Sequence, residues 1–200
     1  MADGLRLNTG ERAWLGLTGL LMGGSVLAGW LPAAWLDWQP ELAAAQPWRA
    51  WTAAFVHWSP LHLGANLLAA VAVGVYGWAA RLPRDQAWAW CAAWPLAQAL
   101  LALRPELAHY GGLSGVLHGG VAIVSLWLAL RARGARRAVG GAVGLGLLIK
   151  LSSERPWGAA LQHSEEWDIA VAPLAHATGA LAGLLCGAAA LWLGRRKSAP

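Results

Sequence analysis

Long apolar stretches alternate with short polar ones along this chain. The apolar stretches cover residues 13–35, 61–80, 86–103, 114–130, 138–151 and 171–193, and arginine, proline and acidic residues gather between them. A helix needs about 20 apolar residues to cross a bilayer, whereas a membrane β-strand shows only about ten in strict alternation. The pattern therefore predicts an all-α integral membrane protein with six transmembrane helices, built as one domain over residues 1–200. The fourth and fifth stretches are short for a full crossing. The first follows Arg6 and Arg12 and could pass for a signal peptide. It exceeds the roughly 7–15 residues of a signal's apolar region, so it reads as a retained first helix.

An even number of spans leaves both termini on one side. Eleven of the 15 Lys and Arg residues fall on that side and four on the other. Basic residues mark the cytoplasmic side, so both termini are expected there. The outer connections are then 36–60, 104–113 and 152–170. The first of them carries Trp35, Trp38, Trp48, Trp51 and Trp58. Tryptophan favours the headgroup layer, so this loop is expected to lie in the outer interface.

Composition agrees with the pattern. Hydrophobic residues make up 58% of the chain and charged residues 12%, about half of what a soluble domain carries. The net charge of +5 is explained by the cytoplasmic loops and does not suggest nucleic acid. Cys91 and Cys186 each sit in an apolar stretch and read as small residues at helix contacts. No Cys/His cluster suggests a metal, and no cofactor is expected.

The polar residues inside the apolar stretches carry the chemistry. His109 and His163 fall in outer loops and read as solvated, as do Glu165, Glu166 and Asp168. His57, His62, His118 and His176 lie at or in helices near their outer ends. Ser114 opens the fourth stretch, and His62 and Asn66 share one face at the start of the second. The second, fourth and sixth spans all start outside, so these groups reach similar depth. Buried polar residues in a membrane face the bundle interior, either as interhelical glue or as a site. Gly115 and Gly119 on the fourth span, and Gly179, Gly183 and Gly187 on the sixth, permit close helix approach. Such packing would bring His176 beside Ser114, a base beside a nucleophile. His62, Asn66 and the backbone N–H at the helix start suit an oxyanion. With Asp168 the nearest acidic residue, in the loop, the expectation is a Ser/His dyad rather than a triad.

Three separated motifs then resemble the rhomboid intramembrane serine proteases. "WRAWTAAFVHWSPLHLGAN", residues 48–66, is similar to that family's first-loop Trp-Arg and His-x4-His-x3-Asn. "GLSG", residues 112–115, is similar to its Gly-x-Ser-Gly, and "HATGALAG", residues 176–183, to its last-helix motif. The resemblance implies Ser114 as nucleophile, His176 as general base, and His62, Asn66 and the Ser114 amide as the oxyanion site. His57, Gly112, Gly115 and Gly179 would support them, and Trp48 and Arg49 would order a membrane-embedded first loop. The implied partners are the bilayer and a protein anchored by a transmembrane helix, cut near its outer face. His118 stands where the family often has tyrosine, and "GLSGVLHG" resembles the rhombosortase branch. That branch implies a bacterial inner-membrane location, an active site toward the periplasm and substrates with a C-terminal Gly-Gly, apolar helix and basic tail. For His118 the resemblance leaves stacking on His176, hydrogen bonding to it, or competition as base. The rival readings are an inactive rhomboid-like protein that binds helices, and a small transporter. The polar set argues against the first, because a binder needs none of it. Its confinement to one side argues against the second.

Overall fold

A computed structural model describes residues 7–197 of the chain. Arg6, counted above as a cytoplasmic charge, and the side chain of Lys197 lie outside the described residues. The described residues form α1 (Thr9–Ala28), α2 (Arg49–Thr52), α3 (Pro60–Ala79), α4 (Arg84–Ala99), α5 (Ser114–Arg131), α6 (Gly134–Ser153) and α7 (Pro173–Lys197). They contain no strand, only isolated bridges at Trp38–Tyr110 and Gln162–Val171.

Local sequence sets several of the boundaries. Asn8 and Glu11 bond reciprocally to each other's backbone N–H and start α1. The helix stops at Ala28 rather than at 35, because Pro32 disfavours helix in the residue before it. The chain then bends through a 3-10 turn at Ala33–Trp35. Ser59 caps α3 by accepting from the His62 N–H, with Pro60 in the first helical position. The stretch expected at 86–103 divides into α4 and a 3-10 turn at Leu100–Leu103. The stretch expected at 138–151 is longer, since α6 extends to Ser153.

Three helices among the described residues are long and apolar enough to cross a membrane: α3, α5 and α7. The expected count of six is therefore not established by length and composition. The other three long helices fall short for two reasons: α4 has only 16 residues, and α1 and α6 carry charged residues. Glu11 and Arg12 open α1, Arg84 and Asp85 open α4, and α6 carries Arg136, Arg137 and Lys150.

The core centres on α5, which packs against α3, α4, α6 and α7. Trp14 of α1 stacks on Trp90 of α4 at a centroid distance of 4.2 Å. Both indoles bury their N–H groups on backbone carbonyls, Trp14 on Val73 and Trp90 on Val116. An unpaired donor would be costly in a bilayer, so these bonds fix the stack as well as satisfying it. Leu68, Trp88, Leu145, Ile149 and Trp192 point outward, as lipid-facing side chains do. Only Gly140 of α6 is buried, so this helix is held along a narrow strip.

The α5–α7 contact is reciprocal. A Cβ on Gly115 would stand 2.7 Å from the Ala175 carbonyl oxygen, and one on Gly119 3.0 Å from that of Gly179. Methyls at Gly179 and Gly183 would run into the carbonyls of Gly115 and Gly119. The two backbones are thus in direct contact, and the N-terminal ends of α5 and α7 are fixed relative to each other.

Candidate active site

Ser114 is the first residue of α5, and its position follows from the glycines before it. Gly112 has φ +144°, a conformation that suits glycine and strains other residues. Its N–H donates to the Ala53 carbonyl at 3.0 Å, which ties the turn to the loop between α1 and α3. The chain enters the helix sharply and leaves the serine hydroxyl at the N-terminal end of α5.

His176 lies in the first turn of α7 and is 7% exposed. Its Nε2 is 2.9 Å from the Ser114 Oγ. The side chains brought together on two helices thus have the geometry a base needs to take a hydroxyl proton.

The opposite ring nitrogen has a carboxylate partner that the sequence reading did not place there. His176 Nδ1 is 2.7 Å from Oε2 of Glu154, the residue that caps α6. The other carboxylate oxygen pairs with Lys150, one turn back on the same helix. Burial opposes ionisation of Glu154. Hydrogen bonds and charge from His176 and Lys150 outweigh it and hold the carboxyl at about 2. Sequence reasoning missed Glu154 by ending the fifth stretch at 151. The available signal was the Lys150–Glu154 spacing of four at the end of an apolar run.

His118, one turn after Ser114, stacks flat on His176, with ring centroids 4.3 Å apart and planes at 10°. Its Nδ1 is 2.7 Å from the Ser114 carbonyl oxygen, so Nδ1 carries the proton. It is a wall for the His176 ring.

His62 accepts a bond from the Trp58 N–H at Nδ1, at 3.4 Å. Its Nε2 therefore bears hydrogen and faces Gly112, 3.0 Å from where a Cβ would be. His57 packs on His62 at 4.8 Å and its own basicity is lowered by burial, against a bond to the Phe55 carbonyl. The Asn66 amide donates to the His62 carbonyl at 3.0 Å, committing one of its two N–H donors to its own helix.

Tyr110 was not anticipated. Its hydroxyl lies beside the Ser114 side chain and the Gly115 N–H, and 3.4 Å from the Gly112 carbonyl. Burial pushes its pKa up to about 12, so it remains an O–H donor. The sequence signal was a tyrosine placed directly before Gly-Gly-Leu-Ser-Gly.

The loop between α1 and α3 is fixed by a buried ion pair. Asp37 is fully buried, and the Arg49 guanidinium donates to its side chain at 3.0 Å and to its carbonyl at 2.7 Å. Arg49 also bonds Gln46 and the Ala34 carbonyl. Trp48, by contrast, is 51% exposed and turned outward. Two further expectations are corrected here. His109 is not merely solvated, because its Nδ1 is 2.6 Å from Asp37 Oδ2. Trp38 is not an interfacial residue: it is buried, and its backbone pairs with that of Tyr110. Asp168 likewise has a partner, accepting from the Ser59 hydroxyl at 2.7 Å, while Glu165 and Glu166 are exposed. Among the described residues no three His, Cys, Asp or Glu side chains gather to hold a metal ion.

The model of the rhomboid domain matches residues 44–193. The chain belongs to the rhomboid family. Members of this family are generally intramembrane serine proteases, acting on membrane-helix substrates within the bilayer. The match takes in the loop between α1 and α3 from residue 44, the turn at Ser114 and α7 as far as Leu193. No curated protein sequence matches the chain.

Proposed function

We propose that this rhomboid is an active serine endopeptidase with Ser114 as nucleophile and His176 as general base. The 2.9 Å bond between Ser114 Oγ and His176 Nε2 carries this reading. As Oγ attacks the scissile carbonyl, its proton passes to Nε2. The carbonyl oxygen becomes an oxyanion, met by the Ser114 backbone N–H, which is free at a helix start, and by the Nε2–H of His62. Collapse expels the amine, which leaves with the proton from Nε2, and water then releases the acyl group by the same steps reversed. The reading as an inactive helix binder gives no role to the Ser114–His176 bond.

The substrate is a membrane-anchored protein cut near the outer end of its helix. His118 in place of tyrosine supports placement in the rhombosortase branch, with C-terminal Gly-Gly substrates. Each glycine lowers the cost of unwinding a helix by about 1 kcal/mol relative to alanine, which suits a site that needs an extended backbone. The arginine distribution supports a bacterial inner-membrane protein with both termini cytoplasmic and the site facing the periplasm.

Purified protein in detergent should react with a fluorophosphonate probe, and Ser114→Ala and His176→Ala should not. Equal labelling of wild type and Ser114→Ala would remove Ser114 as nucleophile. A second assay follows release of the soluble domain from a substrate whose helix begins with Gly-Gly, against the same substrate with Ala-Ala.

A further inference from the structure

The strongest unassigned group is Glu154. It lies 22 residues before His176 in the chain, on a different helix, yet meets the imidazole edge opposite Ser114. Both carboxylate oxygens are engaged, Oε2 with His176 and Oε1 with Lys150. The His176 ring is held on its face by His118 and on its two nitrogens by Glu154 and Ser114.

We infer that Glu154 is a positioning residue that completes a Ser114–His176–Glu154 relay, an addition resting on the protease reading above. A carboxylate only accepts hydrogen bonds, so its contact with Nδ1 puts hydrogen on that nitrogen. Nε2 is then the bare lone pair, at the correct side to take the Ser114 proton. When that proton arrives, His176 becomes imidazolium and the adjacent carboxylate balances it. The proton on Nδ1 stays on Nδ1, and Glu154 remains ionised throughout. Lys150 keeps the carboxylate from turning away. The other titratable groups near His176 are His118 from α5 and His62 from α3, with His57 and Asp168 beyond His62. None of these supplies a second carboxylate to the imidazole edge at Nδ1.

The test compares wild type with Glu154→Gln and Glu154→Ala. A glutamine keeps the shape, but its NH2 can donate to Nδ1 and force the proton onto Nε2. The fluorophosphonate labelling rate and kcat should fall by about 10²–10³-fold, less than for a fully buried aspartate because Glu154 is partly exposed. KM should be unchanged, and the variants should stay folded with melting temperatures within a few degrees. Nitrogen-15 spectra of the histidine-labelled protein, with His176→Ala for assignment, should show His176 protonated at Nδ1 and bare at Nε2 in wild type. In Glu154→Gln the Nε2–H form should appear. Wild type labelled and Glu154→Gln within threefold of it would overturn the inference and leave the protease reading intact. An Nε2–H tautomer in wild type would overturn it even if the variants did not fold. No labelling of folded wild type would remove the protease reading, and this inference with it.

Discussion

Replacing Gly115 with alanine tests how tightly the site depends on helix contact. The new Cβ would stand 2.7 Å from the Ala175 carbonyl oxygen, where ordinary contact begins at 3.4 Å. The obstacle is backbone, not a movable side chain, so α7 must retreat by roughly 0.7 Å at that point. His176 is the next residue. If the retreat reaches it, the 2.9 Å bond to Ser114 stretches to about 3.6 Å, beyond hydrogen-bond length. Displacement on that scale costs on the order of 10²-fold in rate. Overpacking costs about 1–3 kcal/mol, and better helix propensity returns up to about 1 kcal/mol, so the melting temperature should fall by only a few degrees. The assay is the fluorophosphonate rate beside thermal unfolding in the same detergent. Gly19→Ala is the control, because nothing lies within 4 Å of its Cβ position. Wild-type labelling by Gly115→Ala would refute the argument, since the helices would then accommodate the methyl without moving the base.

Three further outcomes are expected. Arg49→Ala should destabilise the fold by about 3–5 kcal/mol, because it leaves the buried Asp37 carboxylate without its main partner; a loss below about 1 kcal/mol in chemical unfolding would contradict this. Tyr110→Phe should slow cleavage tenfold or more at unchanged melting temperature if the hydroxyl helps hold the oxyanion, so an unchanged kcat would assign Tyr110 to packing alone. Glu154 has its carboxyl pKa lowered in the fold, to about 2 from an ordinary 4.5. Its stabilising contribution is therefore complete above pH 4.5 and is lost as pH falls toward 2. The small difference in melting temperature between wild type and Glu154→Gln should be constant from neutral pH to about 5 and shrink below it; a difference that grew with acid would reverse the sign.

Much of the site could be read from sequence because its parts sit on regular helices. Helical spacing puts Ser114 and His118 on one face, and the glycine periods on α5 and α7 imply their contact. The meeting of Glu154 with His176 was not legible, for the opposite reason, although the Lys150–Glu154 spacing hinted at a longer α6. That meeting depends on how far α6 runs and on the return of residues 155–172, which no periodicity encodes. Arg155, with φ +50°, makes the turn that ends α6, and nothing in its residue type announces it. Asp37 was hidden in the same way, since its partners Arg49 and His109 come from two separate loops. The tryptophan rule placed the first loop in the headgroup layer by composition. It could not separate Trp38, whose strand-like pairing with Tyr110 turns it inward, from Trp35, Trp48, Trp51 and Trp58, which face out.

The division of the site between α5 and α7 also bears on how the protein is made. A ribosome completes Ser114 long before His176, and a membrane-inserted chain that ends before α7 holds Ser114 without its His176 partner. The glycine face of α5 is then equally without its partner. The nascent protein can insert its earlier helices beside one another and beside its own loops while hydrolytically silent. On the proposed mechanism, cleavage has to wait until α7 docks on α5, so helix docking and the onset of activity are one event.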